Sequence, residues 1–205
     1  MITLESNYFP CINYFEELVN NSDCTIDQWE SFRKMSFRNR CIVVGANGLI
    51  NLSVPIEGGR NTKQLMKDVK ISYSEGWQQQ HWKTIVSSYA KAPFFEYYHN
   101  EIEVLIKKQH TFLIDKNMQI IFWLIKKFKL QIIVSLSENI EQKILSNELS
   151  FLNEWIPSNY TSEEKKTVHY NQMFEEKLGF QRNVSILDLL FCEGPRKTKF
   201  FNSAQ

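Results

Sequence analysis

Glycine is scarce, with seven residues in a chain of 205, about half the usual ~7% share. The seven are Gly45, Gly48, Gly58, Gly59, Gly76, Gly179 and Gly194. No spacing among them forms a dinucleotide fingerprint, a Walker loop or a nucleophile elbow. A phosphate ligand would therefore be held by side chains or helix ends. Cysteine is equally limited: Cys11, Cys24, Cys41 and Cys192 contain no C-x-x-C pair and no histidine at a ligand spacing. That pattern speaks against a structural zinc site, and the apolar neighbours of Cys11, Cys41 and Cys192 predict small buried thiols. No two of the four histidines share a ligand spacing, so no metal is expected and no motif assigns a cofactor. The longest apolar run, Ile120–Ile125, is six residues, against the ~20 of a membrane span. The N-terminus has neither a basic n-region nor an apolar h-region, so a cytoplasmic protein without a signal peptide or integral membrane segment is expected.

Aromatic side chains are plentiful: 15 Phe, 8 Tyr and 5 Trp. With 43% hydrophobic and 23% charged residues, the chain has ample material for a core. Its length fits a single domain over 1–205. The net charge of +1 hides a segregation. Residues 1–32 hold six acids and no base, whereas residues 33–70 hold eight bases against Glu57 and Asp68. Either the two segments neutralise each other, or the basic one attracts an anion. Nucleic acid is not expected, because the acidic segment would repel its backbone.

Periodicity predicts an α/β fold: a single mixed domain with an N-terminal strand–helix unit, a β-hairpin and a helical middle section. Ile2–Leu4 reads as a strand. Pro10 suits a first helical turn, and Ile12, Phe15, Leu18 and Val19 follow at helical spacing. Runs from Phe37 to Val44 and Leu49 to Val54, joined through Asn47-Gly48, predict a hairpin. A flexible loop is expected over Glu57–Thr62, then a third strand around Val69–Tyr73. Three helices follow: one with Trp82, Ile85, Val86 and Tyr89 as its stripe and Trp77 and His81 on the flank, one opened by Pro93 with Phe94 and Tyr97 on its apolar face, and one capped by Asp115. Gln131–Leu136 reads as a buried strand, and 138–168 is polar and weakly patterned. Ser185 with Asp188 resembles a capping box, and Gly194-Pro195 is a helix stop.

The densest polar group is Lys34 to Arg40. If a strand runs from Arg38, then Arg38 and Arg40 share a face with Asn39 opposite, and a carboxylate or phosphate must bridge the two guanidiniums. That bridge is either an external anion or one of Glu5, Asp27 and Glu30. His81 is the best-placed general-base candidate, although a histidine there is more often a satisfied, half-buried residue. His99, His110 and His169 are expected at the surface. Asn7 and Tyr8, between a strand and a helix start, occupy a favoured place for ligand contacts in α/β folds. The alternative there is a hydrophobic staple with a turn.

Four stretches read together resemble a known family. They are Asn7-Tyr8-Phe9-Pro10 with Tyr14-Phe15; Lys34 and Arg38-Asn39-Arg40-Cys41 with Asn47-Gly48 and Leu52-Ser53-Val54-Pro55; Trp77-x-x-x-His81-Trp82 with Ile85, Tyr89 and Pro93-Phe94-Phe95-Glu96-Tyr97-Tyr98; and Tyr170-x-Gln172-x-Phe174 with Gly179-Phe180, Asn183-x-Ser185-Ile186-x-Asp188-Leu189-Leu190-Phe191 and Gly194. In order and spacing they resemble the WbqC-like protein family, more closely its branch in Bacteroidetes-type bacteria. The chain departs from that pattern at Glu5-Ser6, where the family often has Gln-Pro, and at Asn13, where it often has Gly. The resemblance implies surface-polysaccharide (O-antigen-type) biosynthesis, with glycine (aminoacyl) or acyl transfer to an amino sugar. The implied partner is a nucleotide-sugar or lipid-linked sugar. In that reading Lys34, Arg38 and Arg40 bind the diphosphate or donor carboxylate, Asn39 or a backbone N–H stabilises an oxyanion, His81 is the base, and Asn7, Tyr8 and Tyr89 line the pocket. A non-catalytic binding or accessory protein of the same pathway is the alternative.

Overall fold

The computed structural model describes residues 2–58, 64–139, 149–161 and 168–195. Most of the expected Glu57–Thr62 loop, and residues 140–148 and 162–167 of the weakly patterned segment, lie outside the described residues. The fold is α/β. Four short parallel strands form one sheet: β1 (Ile2–Leu4), β2 (Asp23–Ile26), β5 (Ile133–Leu136) and β6 (Leu149–Ser150), in the order β5-β2-β1-β6. The expected hairpin forms separately from β3 (Arg40–Gly45) and β4 (Gly48–Ser53), with Gly45 opposite Gly48. Around these lie α1 (Ile12–Asn20), α2 (Trp77–Tyr89), α3 (Phe95–Lys107), α4 (Leu113–Phe128), the single turn α5 (Glu175–Leu178) and α6 (Ile186–Glu193). Their buried apolar faces merge into one continuous cluster that includes Ile2, Leu4, Phe15, Ile85, Ile121 and Leu189. No helix among the described residues is long and apolar enough to cross a membrane.

Several local expectations need correction. β3 starts at Arg40, while Phe37–Asn39 forms a 3₁₀ turn, so Arg38 and Arg40 are not strand neighbours on one face. No strand forms over Val69–Tyr73. That segment makes isolated bridges from Lys70 to Phe112 and from Ile71 to Ile56. β5 is an edge strand, and Ile133 is 71% exposed. α4 begins at Leu113, so Asp115 falls in its first turn and favours the helix dipole instead of capping. Tyr97 is exposed, and Phe95 takes its place on the buried face of α3 with Ile102, Leu105 and Ile106. All four cysteines are buried free thiols, Cys24 included.

The C-terminal helix is fixed at both ends as its sequence suggests. Ser185 Oγ accepts the Leu187 N–H, and Gly194 ends the helix at φ 71°. A Cβ on Gly194 would stand 2.8 Å from the Phe94 ring. Gly194→Ala therefore combines left-handed strain with a clash, and should lower the urea midpoint by an amount equivalent to about 1–3 kcal/mol. Asp188 does not complete a capping box. Its carboxylate accepts from Tyr89 (2.8 Å), Tyr170 (2.6 Å) and Gln172 (3.0 Å), and burial raises its pKa.

Candidate site at the carboxyl end of the parallel sheet

Counted along the chain, the four parallel strands lie in the order 3-2-1-4. The sheet therefore grows from β1 through β2 to β5 on one side and gains β6 on the other, so the carboxyl ends of β1 and β6 flank the reversal. In open α/β sheets that crevice is where ligands bind. Glu5, Ser6 and Asn7 follow β1 there, Asp27 and Glu30 follow β2, and Asn153 follows β6. The Asn153 N–H donates to Glu5 Oε2 at 2.8 Å.

The 3₁₀ turn delivers Arg38 to this end. The Tyr8 N–H donates to the Phe37 carbonyl at 3.0 Å, which ties the segment after β1 to the turn. Arg38 is fully buried. Its Nε donates to Glu30 Oε1 at 2.8 Å and its Nη2 donates to Glu30 Oε2. Glu30 thus supplies the bridge, and the bidentate face of the guanidinium is turned inward. Asn117 on α4 locks the arrangement by donating to the carbonyls of Ser6 (3.2 Å) and Arg38 (2.8 Å).

This cluster holds polar atoms that no described residue satisfies. Glu5 Oε1, Asn117 Oδ1, Arg38 Nη1 and both amide atoms of Asn7 are buried without a hydrogen-bond partner among the described residues. Leaving such a group unmet typically costs 1–3 kcal/mol. Burial, opposed by Arg38, raises the Glu5 pKa from 4.5 to about 7. Two non-glycine residues flanking the cluster adopt left-handed backbone: Phe9 at φ 43° and Asn153 at φ 60°. For a bulky phenylalanine this is a strained conformation, of a kind that concentrates at functional sites.

His81 lies on the buried face of α2, not on its flank, beside Trp77, Ile85 and Tyr89. Its Nδ1 is 3.1 Å from the Tyr8 hydroxyl, and it also bonds the Ser53 backbone. Burial lowers its pKa from 6.5 to about 4, with a small further push from Lys116. Lys116 is itself enclosed. Its ammonium donates to the carbonyls of Leu105, Ile106 and Lys108 at the end of α3, and burial brings its pKa down to about 7.

The structure brings Asn7, Tyr8 and Arg38 together around the end of β1, with His81 behind Tyr8. Tyr89 lies elsewhere in the core, where its hydroxyl accepts the Val44 N–H at 3.1 Å and donates to Asp188. Asn39 holds the Val54 carbonyl at 2.8 Å, at the open end of the hairpin. Arg40 is half-buried at the start of β3, and Lys34 is exposed on the preceding turn. Of the other histidines, His169 is exposed, whereas His99 stacks on Phe95 and His110 bonds Gln119 at 2.7 Å. Among the described residues no group of three His, Cys, Asp or Glu could hold a metal. Two open clefts lie away from the cluster. One of about 360 Å³ is lined by Pro93, Phe94, Gln172 and Met173, the other of about 330 Å³ by Tyr73, Gln109 and His110.

The sequence offers Glu5, Asp27 and Glu30 only as bridging candidates and gives no sign of Asn117. The one signal available was the concentration of acids before residue 33, facing bases after it. Comparison with known proteins adds one result. No curated protein and no solved structure matches the chain. Residues 5–150 match a family model, a stretch that takes in the hairpin and the cluster residues Glu5, Asn7, Arg38 and Asn117, and on that match the chain belongs to the WbqC-like protein family.

Proposed function

We propose that the protein is a transferase of surface-polysaccharide assembly that moves a glycyl or other acyl group onto the amine of a nucleotide- or lipid-linked amino sugar. The observation that supports this reading best is the set of unpartnered buried polar atoms on Glu5, Asn7 and Arg38 at the strand-order reversal. Glu5 takes the proton from the attacking amine, since a carboxyl with a pKa of about 7 is matched to neutral pH. As the amide forms, the acyl carbon's bond to its carrier breaks, releasing coenzyme A thiolate from a thioester or the phosphate group of an acyl phosphate or adenylate made with ATP. The Asn7 amide and Arg38 Nη1 point donors at substrate oxygens. His81, neutral and bonded to Tyr8, positions that tyrosine and does not act as the base. Lys34 and Arg40, nearer the surface on the neighbouring turn, meet the acceptor's diphosphate. The accessory-protein reading draws on a different observation: Tyr8, Arg38 and His81 are all engaged by other protein groups.

Mass spectrometry of a UDP-linked amino sugar incubated with the protein, glycine and ATP, or with an acyl-coenzyme A, separates the two readings. Transfer adds the mass of the acyl group, and Glu5→Gln is expected to cut that turnover by about 10²-fold or more while leaving the protein folded. Binding of the sugar without any turnover supports the accessory role, and the absence of both removes the transferase reading.

A further inference from the structure

The unpartnered atoms of the cluster are unequal in kind. Glu5 Oε1, Asn7 Oδ1, Asn117 Oδ1 and Asn153 Oδ1 are acceptors, whereas only Asn7 Nδ2 and Arg38 Nη1 are donors. Charge has the same bias. Among the described residues Arg38 is the one cation acting on Glu5, while Glu5, Asp27 and Glu30 all act on Arg38, and Glu30 already occupies its bidentate face. A carboxylate or a phosphodiester carries acceptors only, and inorganic phosphate near neutral pH adds just one or two O–H donors to its negative charge. Each would leave at least two of the four oxygens unmet and would bring an anion up to three carboxyl groups. An ammonium with neighbouring hydroxyls supplies the donors those oxygens lack, and its hydroxyl oxygens can still receive Asn7 Nδ2 and Arg38 Nη1.

From this complementarity we infer that the cluster at the ends of β1 and β6 is an ammonium-recognition site that takes a hydroxylated primary amine and rejects phosphate, with Glu5 as its specificity-determining residue. The inference rests on the transferase reading only in sharing its site. It assigns the amine end of the substrate to the interior and leaves any diphosphate to the surface. A glutamine at position 5 would keep an acceptor but lose the charge, so the preference for amine over hydroxyl depends on the carboxylate.

Calorimetric titration with D-glucosamine, D-glucose and inorganic phosphate tests it. Glucosamine is expected to bind at least tenfold more tightly than glucose and to be unaffected by phosphate. Glu5→Gln should erase most of that difference, with Asn7→Leu weakening both sugars. Phosphate binding more tightly than glucosamine, equal glucosamine affinity in Glu5→Gln, or no binding of any probe at millimolar concentration each overturns the inference. Glucosamine bound without acyl transfer removes the transferase reading alone. Turnover cut in Glu5→Gln with amine affinity unchanged removes the ammonium site alone.

Discussion

Arg38→Ala is expected to cost about 3–5 kcal/mol of unfolding free energy, measured as a fall in the urea midpoint at unchanged slope. The side chain is fully buried, and its two hydrogen bonds to Glu30 are internal. Removing it strands the Glu30 carboxylate, which is 6% exposed, without its counter-charge. Glu30→Ala should cost a similar amount. The double variant should lose much less than the sum, because neither half of the pair is then left alone. An external-anion role for Arg38 leads to the opposite pattern, with ligand binding lost and stability nearly unchanged. A loss below 1 kcal/mol would therefore reopen that role.

The second large effect is a change in how stability depends on pH. Glu5 titrates near 7 in the folded protein and near 4.5 when unfolded. The folded state therefore holds its proton more tightly. Its contribution is complete below pH 4.5 and is lost as pH rises to 7, a fall of about 3 kcal/mol. His81 moves the other way, from 6.5 unfolded to about 4 folded. Its contribution is complete above pH 6.5 and is lost as pH falls to 4, again by about 3 kcal/mol. Between pH 4.5 and 6.5 the two slopes oppose and nearly cancel in the native protein. Glu5→Gln exposes the histidine slope: stability should climb from pH 4 to 6.5 and exceed the native value at pH 8 by up to about 3 kcal/mol. Urea titrations at four or five pH values would show it. A Glu5→Gln protein less stable than the native one at pH 8 would contradict a carboxyl whose charged form is disfavoured by burial. A site that becomes more stable when its functional group is neutralised fits one held in readiness for a ligand.

Legibility in the sequence followed the range of the contacts. The hairpin was readable because Asn47-Gly48 and its flanking β-rich runs lie within a few residues. The Ser185 cap and the Gly194 stop were readable for the same reason. β2 has no local signal: Asp23–Ile26 is too short to show a period, and its partners β1 and β5 are distant in the chain. β6 has two residues and no pattern of its own. His81 reads as a flank position because His81 and Ser88 are polar residues on a buried face, which blurs the apolar stripe of α2. The cluster joins residues far apart, with Glu5 bonded to Asn153 and Ser6 to Asn117. Local periodicity does not encode such pairings. The weighing of Glu30 against an outside anion at Arg38 was open in the sequence and is resolved by the 3₁₀ turn, which turns the guanidinium inward.

The central claim is that Glu5 holds one unpartnered oxygen, Oε1, in a buried polar site that takes an amine. Carbon-13 NMR of the side-chain carboxyl, assigned by its disappearance in Glu5→Gln, tests this most directly. A titration midpoint near 7 in the free protein, falling when glucosamine is added, is the expected result. A midpoint near 4.5 that no amine moves would contradict it.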